Sequence, residues 1–202
     1  AFSWPIPEKI AGMPVLDAEQ AEAVASLCDF VFCAVSLDKQ ATRALEERYA
    51  RLETPVVSNN SACRGLPDVP MLIPEINAEH AQVIAAQRRR LGTRRGFIAV
   101  KPNCSIQSYV PALTPLRDFG LQKVNVCTYQ AISGAGKTFD RFPEILDNVI
   151  PYIGGEEEKS EQEPLKIWGA LRPDSEAVVP AQTGVAGAIA GVVLREAAAD
   201  VE

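Results

Sequence analysis

The sequence predicts an α/β protein built on parallel strands, because short apolar segments alternate with amphipathic helical ones. Residues 28–36 (CDFVFCAVS), 54–58 (TPVVS) and 96–100 (GFIAV) have the apolar runs that are typical of buried strands. Residues 37–52 and 78–91 lie between them and carry helical patterns. Strands that alternate with helices predict parallel units, and such sheets bind ligands beyond the carboxyl ends of their strands.

Composition narrows the class of protein. The chain has 202 residues, enough for one large domain or two small ones, and its apolar fraction of 47% is that of an ordinary globular protein. A net charge of −6 argues against a surface for nucleic acid or anionic lipid. The five cysteines are an odd number without a C-x-x-C pair, so neither a disulfide framework nor a metal site is expected. The N-terminal residues lack a signal-peptide pattern, and we expect a cytoplasmic protein.

The most informative segment is Gly96–Ser105, which delivers Cys104 to the start of a helix. Pro102 forces a break, Asn103 can cap, and a helical pattern continues from Ile106 to Leu116. A thiol in the first turn of a helix meets unpaired N–H groups and the positive end of the dipole, which stabilise the thiolate. The same donors can hold an oxyanion if the thiolate attacks an acyl group. The alternative is that Cys104 is a small buried residue, as cysteine usually is.

Position along the chain favours the functional interpretation of Cys104. Ser36, the segment 59–64 and Asn103 with Cys104 each follow a predicted strand. Because the carboxyl ends of parallel strands meet at one edge of a sheet, these residues are expected to lie together.

The second half of the chain gives weaker signals. Residues 121–130 alternate as in a half-exposed strand that would pack Cys127, and 131–137 form a glycine-bearing loop that fits either a plain turn or a phosphate or nicotinamide contact. The acidic run after Gly155 is typical of a solvated helix start; alternatively, Glu156 and Lys159 bind the two ends of a zwitterion. The chain's one histidine, His80, is expected to be a solvated helix residue, and a helix rich in small residues is expected over 187–199.

Four segments together resemble the aspartate-semialdehyde dehydrogenases, in particular their archaeal and fungal branch. They are SNNSACRGLPDVPMLIPEIN, KPNCS, VNVCTYQAISGAGK and LDNVIPYIGGEEEK. The resemblance implies a Rossmann-like NADP-binding domain and an α+β dimerisation and catalytic domain of the glyceraldehyde-3-phosphate-dehydrogenase type, both incomplete here. The expected division is 1–103, 104–182 and a C-terminal helix, 183–202, that returns to the first domain.

The resemblance also implies a function and a set of site residues. The family reduces L-4-aspartyl phosphate to aspartate semialdehyde with NADPH, on the route to lysine, methionine and threonine, and it assembles as homodimers or homotetramers. By this resemblance Cys104 is the nucleophile that forms a thioester, and Gln130 orients the substrate. The implied substrate-binding residues are Arg64, Asn103, Glu156 and Lys159, and the implied NADP-binding residues are Ser36, Asn59, Ser133 and Gly134.

Two features of the family are missing from this sequence. The glycine-rich pyrophosphate turn (G-x-x-G-x-x-G) is absent, and the segment that bears the family's acid/base histidine is absent near residues 181–183. Both gaps are easier to explain as segments left out of this chain than as an enzyme that functions without them. Two other hypotheses stay open: a non-catalytic relative that keeps the fold for association or ligand binding, and a sister reductase of the N-acetyl-glutamyl phosphate type. The E-x-x-K pair and the TYQAISGAG loop speak against the sister reductase.

Overall fold

Three parallel strands form the central sheet. The computed structural model describes residues 6–121, 123–132, 138–149 and 153–181. Its strands are β1 (Val31–Cys33), β2 (Val56–Ser58) and β3 (Ile98–Val100), which lie side by side in that order. The register pairs Val31 with Val56 and Val56 with Ile98. The prediction of a parallel α/β architecture is thereby confirmed.

Helices connect these strands as the sequence pattern predicts. Asp38 caps the helix between β1 and β2, because its carboxylate accepts a hydrogen bond from the Ala41 N–H at 2.8 Å. That helix buries Leu45, Tyr49 and Ala50 in the core. In this first half the helices are α1 (Glu8–Ala11), α2 (Ala21–Ala25), α3 (Lys39–Arg51), α4 (Pro74–Asn77), a 3₁₀ helix (Ala78–Val83) and α5 (Ile84–Leu91).

The chain after β3 continues the same core. Ile106 and Ile167 are buried with sheet residues such as Ile98 in one apolar cluster, so both halves of the described chain share a core. The elements here are α6 (Ile106–Leu113), 3₁₀ helices at Thr114–Phe119, Phe139–Arg141 and Pro143–Ile145, α7 (Glu156–Ile167), and the antiparallel pair β4 (Ala170–Leu171) and β5 (Val178–Val179). Within the described residues no helix is long and apolar enough to cross a membrane.

The outer side of β3 is covered rather than open. The Gln87 side chain accepts a hydrogen bond from the Ile98 N–H at 2.6 Å and donates to the Ile98 carbonyl at 2.9 Å. It also donates to the Asp68 carbonyl at 3.0 Å. Close packing continues at Gly96, where an added Cβ would lie 1.7 Å from the Ala50 carbonyl oxygen. An amide side chain therefore satisfies backbone groups that would otherwise be exposed at a sheet edge.

Several local predictions were wrong. Residues 121–130 contain no strand among those described, only a single β-bridge at Thr128, because a strand requires a hydrogen-bonded neighbour along its length. Cys127 is accordingly exposed rather than packed. The predicted strand over 28–36 is confined to Val31–Cys33. The helix predicted over 187–199 lies outside the described residues.

His80 is buried, with 1% of its surface exposed, and not solvated as expected. Its Nδ1 accepts a hydrogen bond from the Asn77 amide at 3.0 Å, so the ring proton is on Nε2, which donates to the Gly169 carbonyl at 3.2 Å. Burial lowers the pKa of His80 below its ordinary value. The periodicity misled here because a 3₁₀ turn at Ala78–Val83 rotates this side chain inward.

Candidate active site

The segments that follow β2 and β3 meet helix α7 at the carboxyl edge of the sheet. Asn59 follows β2 directly, and its N–H donates to the Cys33 carbonyl of the neighbouring strand at 2.8 Å. Cys104 and Asn103 follow β3 after a short connection. The sequence prediction that polar residues gather at this edge is confirmed for these segments.

Cys104 is exposed and lies in a turn just before α6, two residues ahead of its first residue. Cys104 was expected in the first turn of the helix, and this prediction was wrong because the residue lies just before the helix begins. Asn103 stabilises the turn from within: its Oδ1 accepts hydrogen bonds from the Ser105 N–H at 2.9 Å and from the Ser105 hydroxyl at 2.7 Å. The thiol consequently projects from a backbone segment whose shape is fixed.

The remaining polar groups of Asn103 bind two carboxylates of α7. Its Nδ2 donates to both Glu156 oxygens, at 2.8 and 3.0 Å. Its backbone N–H donates to Oε2 of Glu163 at 2.7 Å. Asn103 is buried, so these bonds form where water does not compete. Helix α7 thus holds the turn that carries Cys104 at two points.

Glu156 and Lys159 form an ion pair beside this turn. The Lys159 ammonium lies 2.8 Å from Oε1 of Glu156, and Gln130 approaches the other oxygen at 3.5 Å. Burial alone would raise the pKa of Glu156, but Lys159, together with hydrogen bonds from Gln130 and Asn103, outweighs it and lowers that pKa. Glu156 is buried, so the solvated-face alternative is wrong for this residue. The structure brings Gln130, Glu156, Lys159 and Asn103 into one cluster.

Arg64 lies in the loop after β2, with only 8% of its surface exposed. Its Nη1 donates to Oε1 of Glu163 at 2.9 Å and its Nη2 to the Asn59 carbonyl at 2.8 Å. Its Nε is buried and has no hydrogen-bond partner among the described residues. Arg64 borders a cavity of about 400 Å³ that Ser61, Lys159, Lys166 and Glu163 also line. Lys39 is a fourth cation on this lining, and only the carboxylates of Glu158 and Glu163 oppose the four, so the net positive charge suits an anionic ligand.

Two residues of this site were missed by sequence reasoning, Glu163 and Lys166. The Lys166 ammonium is buried and donates to the carbonyls of Arg64, Leu66 and Val69 at 2.7, 2.6 and 2.9 Å. Burial lowers the pKa of Lys166 to about 8. Spacing could have revealed both, because positions 156, 159, 163 and 166 follow the three- and four-residue steps of one helical face.

The residues predicted to bind the cofactor are only partly described. Ser36 and Asn59 are exposed just beyond the ends of β1 and β2. Ser133 and Gly134 lie outside the described residues. Lys101 is close to the same edge, where burial and the Arg64 charge lower its pKa. Over the described ranges no three His, Cys, Asp or Glu side chains are grouped to hold a metal ion.

Comparison with known proteins places these segments in a family. Residues 1–84 match the model of the semialdehyde dehydrogenase NAD-binding domain, and residues 113–192 match that of the semialdehyde dehydrogenase dimerisation domain. The chain belongs to the semialdehyde dehydrogenase family. The fold class predicted from the resemblance is confirmed by these matches.

Individual semialdehyde dehydrogenases give the same result. The aspartate-semialdehyde dehydrogenase of Archaeoglobus fulgidus is 45% identical over 141 residues, 70% of this chain and 40% of that protein. That of Methanothermobacter thermautotrophicus is 41% identical over 181 residues, 89% of this chain and 50% of that protein. The chain spans about half the length of the curated relatives that it matches.

A solved semialdehyde dehydrogenase structure has a similar fold. The crystal structure of aspartate semialdehyde dehydrogenase with NADP from Candida albicans matches with a TM-score of 0.78 at 30% sequence identity. The match covers 96% of this chain and 55% of that one. The similarity therefore extends through the segments that build the site.

Proposed function

We propose that this chain carries the acyl- and phosphate-binding part of an NADP-dependent aspartate-semialdehyde dehydrogenase. The observation that carries the proposal is the exposed Cys104 on a turn that Asn103 fixes to α7, together with a cavity lined by Arg64 and Lys159 that is joined to this turn through Glu163. A nucleophilic thiol and a cavity with a cationic lining suit an acyl phosphate, whose two ends need these two features.

In the first half of the proposed reaction, the Cys104 thiolate attacks the acyl carbon of L-4-aspartyl phosphate. A carbon–sulfur bond forms, the bond from carbon to the phosphate oxygen breaks, and the leaving phosphate takes up a proton from solvent. Arg64 and Lys159 stabilise the charge on the departing phosphate, and Glu156 and Gln130 orient the amino-acid end. The product is an aspartyl thioester on Cys104 and inorganic phosphate.

In the second half, the thioester carbon is reduced and the carbon–sulfur bond breaks. NADP, in its reduced form, supplies the hydride when it is bound. Ser36 and Asn59 would hold it, since both are exposed at the carboxyl edge of the sheet, where doubly wound sheets bind nucleotides. Collapse of the thiohemiacetal returns the thiolate of Cys104 and releases aspartate semialdehyde.

A second candidate is a non-catalytic relative that binds ligand without turnover. It is favoured by His80, the one histidine of the chain, because both of its ring nitrogens are already bonded to Asn77 and Gly169 and it is buried. His80 is therefore not available as the acid/base partner of a thiol. The first reaction half, which releases phosphate and needs no cofactor, distinguishes the two candidates.

The oligomeric state, the location and the domain division of the protein are also proposals. A homodimer or homotetramer is supported by the match of residues 113–192 to a dimerisation-domain model. A cytoplasmic location is supported by the five cysteines, all of which are free thiols. We keep the division at residue 103 as a proposal, with residues 1–103 for NADP, 104–182 for substrate and association, and 183–202 returning to the first domain.

Acylation of the thiol tests the proposed function. We expect L-4-aspartyl phosphate to add one aspartyl group to the native chain and to Cys127→Ala, and none to Cys104→Ala, as read by peptide mass spectrometry. Cys127→Ala is the matched control because that thiol is also exposed. Equal acylation of both thiols, or of neither, would contradict the proposal, and the latter outcome would favour the non-catalytic relative.

A further inference from the structure

Glu163 contacts both functional parts of the site with one carboxylate. Its Oε1 accepts a hydrogen bond from Nη1 of Arg64 at 2.9 Å, and its Oε2 accepts one from the Asn103 backbone N–H at 2.7 Å. The Arg64 and Glu163 side chains are only 9% and 8% exposed. A charge-assisted hydrogen bond in such a setting is stronger than one in water.

The backbone on either side of this carboxylate is held independently. On the Arg64 side, Lys166 binds the carbonyls of the loop from Arg64 to Val69. On the other side, Glu156 and Ser105 bind the Asn103 side chain. The guanidinium of Arg64 is therefore the part of its loop that can respond to a ligand.

Binding of an anion changes the hydrogen bonding and the positive charge that Arg64 directs to Glu163. The guanidinium has five N–H donors, of which Nε has no partner among the described residues. An anion in the cavity competes with Glu163 for the remaining donors and shares the positive charge of Arg64. The Glu163 carboxylate then directs more of its charge to the Asn103 N–H, one residue before Cys104.

From this geometry we infer that Glu163 is a positioning residue, which links occupancy of the Arg64 cavity to the backbone of the turn that carries Cys104. The inference rests on the proposed function in one respect, namely that Arg64 binds the phosphate of the substrate. A plain counter-ion for Arg64 would need only one of the two contacts. The second contact, to Asn103, makes the carboxylate a connection between the anion and the nucleophile turn.

Phosphate titration of the ¹⁵N-labelled chain tests the inference. Inorganic phosphate is the probe, and the NMR signals of the Arg64 guanidinium and the Asn103 amide are followed. In the native chain we expect both signals to shift with the same dissociation constant. In Glu163→Gln, which keeps the shape but removes the charge, and in Glu163→Asp, which keeps the charge but shortens the reach, we expect Arg64 to respond and the Asn103 shift to be lost.

Glu158→Gln is the matched control, because Glu158 is an exposed carboxylate on the same helix that borders the same cavity. Both signals should still respond in this variant, since only the Glu163 carboxylate bonds both Arg64 and Asn103 among the described residues. An Asn103 shift that persists in both Glu163 variants, or that is absent from a native chain whose Arg64 responds, overturns the inference. If Arg64 itself does not respond in the native chain, the phosphate site and the proposed function fail as well.

Discussion

Asn103 was expected to contact substrate, yet the structure shows its polar groups bonded within the protein. The side-chain oxygen accepts a hydrogen bond from the Ser105 N–H, the side-chain nitrogen donates to Glu156, and the backbone N–H donates to Glu163. A buried network in which each member is satisfied is rigid, because any rearrangement leaves a polar group unpaired. The substrate contact stays a prediction, and shaping the nucleophile turn is the role that the contacts support.

Lys166 illustrates the same principle in a residue that carries a charge. We expect Lys166→Met to lower the free energy of unfolding by about 3 kcal/mol, because three carbonyls lose their donor, two of them in buried hydrogen bonds. Urea denaturation followed by circular dichroism measures the change. The matched control is Lys123→Met, at an exposed position, which should change stability by less than about 0.5 kcal/mol. Equal effects of the two variants would show that the carbonyl contacts are unimportant.

At the scale of elements, α7 is unusual because its buried face is largely polar. Glu156, Glu163 and Lys166 are buried on a helix that begins with three glutamates. The positive end of the helix dipole stabilises carboxylates in the first turn, which explains why a run of glutamates can begin a helix. Its polar residues then bind loops instead of water, so the helix organises the site, while Ile167 at its end packs in the core.

The contact between α3 and the start of β3 gives a prediction at this scale. An added methyl group at Gly96 would overlap the Ala50 carbonyl, which belongs to helix backbone and cannot rotate away. We expect Gly96→Ala to lower the free energy of unfolding by about 3 kcal/mol.

Gly65→Ala is the control for this substitution, because nothing lies within 4 Å of the added atom. Its unfolding free energy should stay within about 0.5 kcal/mol of the native value. Thermal and urea denaturation of both variants provide the comparison. A loss at Gly65 as large as that at Gly96 would mean that crowding at Ala50 is not the cause.

At the scale of the whole molecule, the free energy of unfolding is expected to depend on pH through one buried side chain, His80. His80 joins segments that are 89 residues apart through its bond to Gly169. Burial lowers its pKa, the hydrogen bond to the Gly169 carbonyl and the nearby Glu79 charge oppose this shift, and the Lys166 charge adds to it. Because the unfolded chain takes up the proton first, the contribution of His80 is fully present above about pH 6.5 and is lost as the pH falls toward the folded-state pKa.

We therefore expect the unfolding free energy of the native chain to fall more steeply below pH 6.5 than that of His80→Gln. The difference in slope should approach about 1.4 kcal/mol per pH unit, the value for one proton. Denaturation curves between pH 5 and 7.5 measure it. The native chain and His80→Gln have the same carboxylates, which therefore contribute equally to both slopes. Parallel plots of unfolding free energy against pH would show that His80 does not contribute to the pH dependence.

Much of the fold could be predicted, because apolar periodicity and capping act over a few residues. The three strands and α3 follow from local patterns of this kind. At the site, position after a predicted strand singled out Cys104 and the segment 59–64, whereas the role of Gln130 was supplied only by the family motif. Glu163 and Lys166 escaped because their partners, Asn103 and the loop after Arg64, are distant in sequence. Cys127 was misjudged for the related reason that burial of a strand depends on its neighbours.

The connections within the site also bear on the order in which the molecule can form. The bond from Arg64 to Glu163 closes 99 residues of chain, and that from Lys166 to the Arg64 carbonyl closes 102. Closing long loops costs entropy that only completed contacts repay, so such links form late in folding. During synthesis, the anion cavity cannot exist until α7 has left the ribosome and docked on residues made long before. A chain released early would hold Cys104 on a turn that α7 does not anchor.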